Sequence, residues 1–548
     1  MSRRIALLIT LIIVFIGMSD TTLKGQAKAS ETIYIRADGS VDPSTAAISS
    51  VDNFTYTFAS DIEGFIEVQR NNIIIDGNGF ALTGSGYGNG FYLYGVSNVT
   101  IKGAIIQGFN MGIQSHRIVN STICGNMIKD NKYGISFTSS LNNAIVGNVI
   151  MQNNRSGIDF QFVNGTTISG NNITDNYDGI YFDEAHGNTV NGNIIVASNY
   201  YGILVYLSFD NSISGNIIET SNYYGIHLES CSGTHIAENR ITNNTYDGIG
   251  LYKSSSNAII GNNISTNRDD GINLLNSMEN KILENYVTLN NDGGISLVLS
   301  SNNTLNGNKI TKNKNNGIGL SISSRNNISG NTVSDNDNGI LLNSSFNNSI
   351  YHNNFVDNTC QWLSHGSTNI LDNGIEGNYW SNYTGVDSDH NAIGDLPQIL
   401  DANNQDNYPL MGIFHSFNAS SSYYVDIVSN STIDDFEYFE SSGTIKMYVS
   451  DITANQTFGF CRMCIPKDLM SPPYTVVIDD GLTEVLYFNG TIYANGTHIW
   501  IYFAYEHSNH EVAIIPAYRN HYSLFMIATL FMMATLLAVI VYRKKRVR

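Results

Sequence analysis

One short step recurs through the middle of the chain at a nearly constant interval. A glycine followed by isoleucine, or once by phenylalanine, appears every 22 or 23 residues. The glycines of this column are Gly90, Gly112, Gly134, Gly157, Gly179, Gly202, Gly225, Gly248, Gly271, Gly294, Gly317 and Gly339. A fixed period of this length indicates a repeat architecture, in which each repeat packs mainly on its neighbours.

Two columns of asparagine run in phase with the glycines. The first extends from Asn126 to Asn353, and the second lies five or six residues later, from Asn131 to Asn358. Asparagine bonds to its own backbone and tolerates the left-handed conformation, so it favours turns. Each repeat therefore reads as short apolar segments joined by polar corners.

This pattern predicts an all-β fold, a right-handed parallel β-helix of about twelve coils of 22–23 residues. Equivalent positions in successive coils of such a fold lie ~4.8 Å apart. The isoleucines would then stack as an inner apolar column, and the asparagines would form hydrogen-bonded ladders. Leucine-rich repeats have similar periods, but they need a leucine consensus and a helical side, which this sequence lacks.

Residues 31–410 resemble the NosD-like right-handed β-helix proteins of the archaeal cell-surface type. The segments that carry the resemblance are 33–40, 72–79, 377–385 and 406–410, which read IYIRADGS, NIIIDGNG, GNYWSNYTG and DNYPL. The resemblance implies repeats of the carbohydrate-binding and sugar-hydrolase type. The copper role in the family's name is not predicted, because the histidines are scattered and soft ligands are not grouped on the repeats.

Terminal coils of a solenoid need caps, because they expose apolar core and strand edges. Beyond residue 412 the repeat is lost, and alternating apolar segments predict an antiparallel β-sandwich. These segments are 423–428, 444–449, 458–465, 475–478, 485–488 and 498–505. The predicted divisions are a signal peptide at 1–29, an N-terminal cap with the first coils at 30–110, the β-helix at 111–359, a C-terminal cap at 360–412, the β-sandwich at 413–515, and a transmembrane helix with a basic tail at 516–548.

The N-terminal segment predicts export. Arg3 and Arg4 precede an apolar run at 5–17, and residues 27–29 form an A-x-A cleavage site. A retained N-terminal anchor is the alternative, since this site lies far from the apolar run. Asn-x-Ser/Thr sequons recur downstream, so glycosylation is permitted.

The C-terminal segment predicts a single membrane span. Residues 523–542 are uncharged and long enough to cross the ~30 Å hydrocarbon core as a helix. Residues 543–548 carry five basic side chains, which stay on the cytoplasmic side. The expected location is the cell membrane, with a large extracellular N-terminal part.

An acidic loop in the C-terminal cap predicts a structural calcium site. Its oxygen side chains fall at positions 1, 3, 5 and 9 of a calcium-loop pattern. The candidate ligands are Asp387, Asp389, Asn391 and Asp395. The pattern is partial, because Ala392 replaces the preferred glycine and Gln398 the closing glutamate. A plain acidic surface loop is the alternative.

Side chains alternate along the strand after each glycine, so every second one faces outward. This outward stripe and the residues just before the glycine carry many tyrosines. Tyrosines beside carboxylates suit a sugar polymer, with rings stacked on its apolar faces and acids bonded to hydroxyls. The candidate ligand-binding residues are Tyr177, Tyr181, Tyr201, Tyr206, Tyr224 and Tyr252.

The same stripe permits an enzymatic hypothesis. The candidate catalytic residues are Asp159, Asp183, His227 and Glu229. Strand geometry places Asp159 and Asp183 ~8 Å apart, and Asp183 and Glu229 ~9.6 Å apart. Such separations resemble those of inverting glycosidases, ~6.5–9.5 Å. The stripe lacks the basic partners that related lyases and epimerases use for uronate carboxylates.

The net charge of −19 disfavours nucleic acid and anionic polymers as partners. The first hypothesis is therefore a surface protein that binds glycans or extracellular matrix, or is structural. The second is a surface polysaccharide hydrolase or lyase. A merely solvated β-helix face is the third.

Overall fold

The computed structural model describes residues 32–452, 456–506 and 508–517, in two compact units that divide after Tyr177. The predicted signal peptide, the apolar segment 523–542 and the basic tail lie outside the described residues. Among the residues described, no helix is long and apolar enough to cross a bilayer.

In the first unit, each coil adds one strand to each of three parallel sheets, named A, B and C. Sheet A contains Thr32–Ile35, Phe65–Val68, Asn89–Tyr94, Met111–His116, Tyr133–Thr138 and Ile158–Gln161. Sheet B contains Thr55–Phe58, Ile73–Asp76, Val99–Lys102, Thr122–Cys124, Ala144–Val146 and Thr167–Ser169. Sheet C contains Ile62–Glu63, Ala81–Thr83, Ile105–Gln107, Met127–Lys129, Val149–Met151 and Asn172–Thr174. One antiparallel strand lies at the edge of each of two sheets: Val41–Asp42 in sheet A and Ile48–Ser49 in sheet B.

The second unit repeats the arrangement with nine coils. Its sheet A contains Ile180–Asp183, Ile203–Tyr206, Ile226–Glu229, Ile249–Tyr252, Ile272–Leu275, Ile295–Val298, Asn316–Ser321, Asn338–Asn343 and Cys360–His365. Its sheet B contains Thr189–Asn191, Ser212–Ser214, His235–Ala237, Ala258–Ile260, Lys281–Leu283, Thr304–Asn306, Asn327–Ser329, Phe346–Tyr351 and Thr368–Ile370. Its sheet C contains Ile194–Val196, Ile217–Glu219, Arg240–Thr242, Asn263–Ser265, Tyr286–Thr288, Lys309–Thr311, Thr332–Ser334, Asn354–Val356 and Tyr379–Trp380. A small hairpin, Gln398–Ile399 with Gln405–Asp406, follows.

The predicted stacking of isoleucines is confirmed within each unit. Ile135 pairs with Ile158 in the first, and Ile180 pairs with Ile203 in the second. These side chains are fully buried. Glycine precedes them because the next coil approaches the backbone. A Cβ on Gly248, for example, would lie 2.7 Å from the next coil's carbonyl oxygen and 2.5 Å from an isoleucine methyl.

Buried asparagine ladders also form, as predicted. Asn262 Oδ1 accepts the backbone N–H of Asn239 at 2.9 Å and its Nδ2 at 3.0 Å. The prediction was wrong for two members of the second column, since Asn199 and Asn222 are exposed. The preceding residues, Ser198 and Ser221, occupy the buried corner positions instead. Both residues of each pair are polar, so the sequence alone did not show which of the two occupies the buried position.

The coils outnumber the twelve predicted, because sheet A has six stacked parallel strands in the first unit and nine in the second. The extra coils lie in the segments assigned to caps. Their strands Thr32–Ile35, Phe65–Val68 and Cys360–His365 lack the glycine-isoleucine step. Trp362 replaces the isoleucine in the last of these strands, whereas Thr32 and Phe65 replace the glycine in the other two.

The residues after 412 form two antiparallel sheets that share one hydrophobic core. The first contains, in spatial order, Ile413–Ser420, Tyr423–Ser429, Phe458–Pro466, His498–Glu506 and Val485–Ala494. The second contains Thr432–Phe439, Thr444–Ser450, His510–Pro516 and Tyr474–Ile478. A short 3-10 turn, Asp479–Gly481, directly follows the strand Tyr474–Ile478.

A buried carboxylate joins the coils of the second unit to these sheets. Glu376 Oε1 accepts Arg462 Nε at 2.6 Å and Trp500 Nε1 at 2.9 Å. Its Oε2 lies 3.0 Å from His352 Nε2. Burial raises the pKa of Glu376, but the histidine hydrogen bond and the Arg462 charge outweigh it and lower the pKa overall. This network holds the first antiparallel sheet against the last coils.

Candidate functional site

Two outward columns run down sheet A of the second unit. The first contains Tyr181, Leu204, His227 and Gly250, in register on successive coils. The second contains Asp183, Tyr206, Glu229 and Tyr252. The alternation predicted from the sequence therefore places these candidate residues on one sheet face.

An outer row of tyrosines lies beside this face, on the loops that enter sheet A. The rings of Tyr200 and Tyr223 stack with centroids 4.8 Å apart and planes 9° apart. Tyr223 and Tyr246 follow at 4.9 Å and 30°. Tyr200 is 37% exposed, and the other two are partly exposed. The row therefore repeats at the spacing of the coils.

An inner row lies against the first and covers His227. Tyr201 and Tyr224 stack at 5.9 Å and meet the outer rings edge to face, as in the 4.6 Å contact between Tyr223 and Tyr224. The imidazole of His227 lies 4.4 Å from the Tyr224 ring and 5.5 Å from the Tyr201 ring. We call Tyr200, Tyr201, Tyr223, Tyr224 and Tyr246 the tyrosine surface.

This packing changes the chemistry expected of the rings and of His227. At these centroid distances the stacked rings of the outer row cover much of each other's faces, which leaves mainly ring edges available to a ligand. His227 is only 7% exposed, and its buried Nδ1 has no hydrogen-bond partner. Burial lowers the pKa of His227 to about 4. His227 is thus a neutral, buried side chain that packs beneath the tyrosines, and it is not an exposed proton donor.

The candidate acids are divided between the two units. Asp183 and Glu229 lie two coils apart in one column, with Tyr206 between them in register. Asp159 belongs to the first unit, where it pairs in register with Ser136. Tyr177 also belongs to that unit, under the Arg155 guanidinium at 5.6 Å from the ring centroid.

Three carboxylates of the predicted calcium loop do converge. One oxygen each of Asp387, Asp389 and Asp395 lies within 4.8 Å of the others. Asn391 is engaged differently, because its Oδ1 accepts the backbone N–H of Ile393 at 2.7 Å and its amide donates to Asp389. Hard oxygen ligands of this kind fit Ca²⁺.

Sequence reasoning missed a second acidic cluster at the end of the tyrosine rows. Asp247, Asp269 and Asp270 bring their carboxylates within 4.8 Å of one another. Burial and the Asp292 charge raise the pKa of Asp270 to about 7, and burial with the Asp270 charge raises that of Asp247. The 23-residue spacing of Asp247 and Asp270 was the available signal. Among the described residues, both groups that could hold a metal are all-aspartate, which does not suit copper.

Two known families match segments of the coils. Residues 224–379 match the family described as right handed beta helix region. Residues 143–268 match the family described as periplasmic copper-binding protein (NosD). The coils therefore contain right-handed parallel β-helix repeats that are similar to those of both families. No curated protein sequence matches it.

Several solved structures resemble the fold. The periplasmic alginate epimerase AlgG is 18% identical, with 59% of this chain and 80% of that chain covered and a TM-score of 0.32. The Azotobacter vinelandii mannuronan C-5 epimerase AlgE4 A-module is 16% identical, with 56% and 91% covered and a TM-score of 0.36. The Dettilon tailspike protein is 14% identical, with 88% and 94% covered and a TM-score of 0.37. These likenesses are of the fold alone.

Proposed function

We propose that this chain is a membrane-anchored cell-surface protein that binds neutral glycans through the tyrosine surface. The basic N-terminus with its apolar run supports export, and the apolar segment 523–542 before a basic tail supports anchoring. The observation that carries the binding role is the double row of tyrosines, whose outer members repeat at 4.8 and 4.9 Å.

The chemistry of binding follows from the orientation of the rings. Hydroxyl-bearing edges at the coil spacing can bond successive sugar hydroxyls of an extended chain. Tyrosine phenols are protonated at neutral pH and can donate hydrogen bonds, and burial raises the pKa values of Tyr201 and Tyr224 further. The outward carboxylates of Asp183 and Glu229 accept bonds from hydroxyls and repel anionic polymers. A neutral polysaccharide is therefore the proposed partner.

A glycan array with the full-length protein tests this proposal. We expect binding to a subset of neutral oligosaccharides, lost in the variant Tyr200→Ala/Tyr223→Ala/Tyr246→Ala. Tyr286→Ala is the matched control, since Tyr286 is 40% exposed on sheet C, away from the tyrosine surface. No binding to neutral glycans, or equal loss in the control, would refute the proposal.

The second candidate, a polysaccharide hydrolase or lyase, depends on Asp183 and Glu229. Their shared outward column is the observation that favours it. Release of reducing ends from a bound glycan, abolished by Asp183→Asn, would establish catalysis. The first proposal instead predicts that the glycan binds and that no reducing ends are released over time.

We also propose that Ca²⁺ occupies the loop containing Asp387, Asp389 and Asp395 as a structural ion. Convergent carboxylates support it, and burial raises the pKa of Asp387, so a cation there would relieve an uncompensated charge. Isothermal titration with Ca²⁺ tests the proposal.

A further inference from the structure

A cleft of about 570 Å³ lies between the coils of the second unit and the hairpin Ile413–Ser420 with Tyr423–Ser429. The coils contribute the corner between sheets B and C. The hairpin contributes His415, Ser416 and Asp426 among others. The volume falls within the range of small-molecule sites, ~300–1,000 Å³.

The floor of the cleft is a trough made by two corner glycines. Gly307 and Gly330 occupy equivalent corners and have left-handed backbones, with φ of 67° at each. The flanking corners carry side chains, Glu284 on one side and His352 on the other. A Cβ on Gly307 would lie 3.3 Å from Glu284 Cγ, and one on Gly330 would lie 3.1 Å from Asn306 Nδ2, so these two side chains line the floor beside the glycines. The floor spans two coils between Glu284 and His352, a length that suits a compact ligand rather than a continuous polymer.

The lining is negatively charged and rich in neutral hydrogen-bonding groups. Among the described lining residues, Glu284 and Asp426 are acids, and none is lysine or arginine. Burial lowers the pKa of His415 to about 4, so its imidazole is neutral at pH 7. Its buried Nε2 has no hydrogen-bond partner. The imidazole of His352 is hydrogen-bonded to Glu376. The remaining polar lining is hydroxyl and amide: Asn306, Ser329, Thr332, Tyr351, Ser416 and Tyr424.

Of the groups that line the cleft, Asp426 is the one whose negative charge a bound cation would stabilise most. Its carboxylate accepts a 2.6 Å hydrogen bond from Ser416 Oγ, which fixes its orientation. Burial raises the pKa of Asp426, because the charge is poorly solvated where it lies. The exposed ring of Tyr424, on the same hairpin, offers an aromatic face or edge to a cation.

We propose that this cleft binds a small organic cation that carries an ammonium group beside several hydroxyls, an amino sugar, with the ammonium held by Asp426. The site is separate from the tyrosine surface, so it stands or falls independently of the proposed glycan function. The hydroxyl and amide side chains bond the sugar hydroxyls. The trough at Gly307 and Gly330 accommodates the ring.

Isothermal titration of the full-length protein with glucosamine, N-acetylglucosamine and glucose tests the proposal. Acetylation removes the positive charge and glucose lacks the amine, so both should bind about tenfold or more weakly than glucosamine. Asp426→Asn should weaken glucosamine binding by a similar factor. Asp210→Asn, an exposed acid on another corner, is the matched control.

A second variant guards against misfolding of the first. Gly330→Asn narrows the trough at a corner whose left-handed backbone asparagine tolerates. It should weaken glucosamine binding while the thermal midpoint stays near that of the wild type. Equal affinity for glucosamine and N-acetylglucosamine, no binding of either at millimolar concentration, or wild-type affinity in the folded Asp426→Asn variant would each overturn the proposal.

Discussion

Replacement of Asn262 by alanine tests how far the ladders stabilise the coils. Asn262 is 1% exposed and its side chain makes five hydrogen bonds. Oδ1 accepts two from Asn239, and Nδ2 donates to the carbonyl oxygens of Ile236 and Ile260 and to Asn285 Oδ1. Alanine removes all five and leaves the buried N–H of Asn239 without its acceptor.

The expected cost follows from ordinary hydrogen-bond energies. Each buried bond contributes a net ~0.5–1.5 kcal/mol, and an orphaned buried donor costs ~1–3 kcal/mol. Neighbouring amides can relax into part of the space, so we expect a loss of about 3–5 kcal/mol rather than the full sum. Because domains are stable by only ~5–15 kcal/mol, this is a large fraction.

Urea denaturation followed by far-ultraviolet circular dichroism measures this loss. The matched control is Asn222→Ala, because Asn222 is an asparagine at another corner of the coils and is exposed. We expect a change within ~0.5 kcal/mol for the control. If Asn262→Ala costs less than about 1 kcal/mol, no more than a typical surface change, the ladders do not stabilise the fold as argued.

Three further changes test separate parts of the molecule. A methyl on Gly248 would lie 2.7 Å from the carbonyl oxygen of Gly271, so Gly248→Ala should cost about 1–3 kcal/mol in urea denaturation; wild-type stability would contradict the coil spacing. Glu376→Gln leaves Arg462 buried without its carboxylate and should cost about 3–5 kcal/mol. Because the folded pKa of Glu376 is lowered overall, despite the burial that raises it, the wild type should lose this contribution as pH falls below about 4.5, and the variant should not; a parallel pH dependence of the two would contradict this. Calcium should raise the thermal midpoint of the wild type more than that of Asp389→Asn, and equal shifts would exclude the loop as the site.

The coils were predictable because the local structure of each coil requires glycine or asparagine at particular positions. Gly248 is required where a neighbouring backbone approaches, and Asn262 where buried backbone groups need partners. Such demands recur every coil, so they appear as columns in the sequence. The columns predict the wrong residue where another residue type occupies the buried corner position, as Ser198 and Ser221 do.

The antiparallel sheets were predictable only in part. The central strands Phe458–Pro466 and His498–Glu506 have strong apolar segments. The edge strands Ile413–Ser420 and Thr432–Phe439 are half exposed, so their polar side chains weaken the pattern and the sequence did not reveal them. The central strand His510–Pro516 was missed as well.

The candidate site was predictable in some of its residues, such as Tyr201 and Tyr224, but not in its geometry. Alternation placed His227 on the outward face of sheet A, where it lies. Its burial depends on how Tyr201 and Tyr224 turn on the adjacent loops, which residue spacing does not encode. The cleft beside Gly307 was beyond prediction, because glycine is common at that corner and the distinguishing feature is the hairpin packed over it.

Fluorine NMR of the protein labelled with 3-fluorotyrosine tests the proposed glycan binding most directly. The chain has 32 tyrosines, so single Tyr→Phe variants assign the resonances. On addition of a neutral oligosaccharide selected by the array, the signals of Tyr200, Tyr223 and Tyr246 should shift while that of Tyr286 stays unchanged. Unchanged signals from the three, or an equal shift at Tyr286, would contradict the assignment of the tyrosine surface as the binding site.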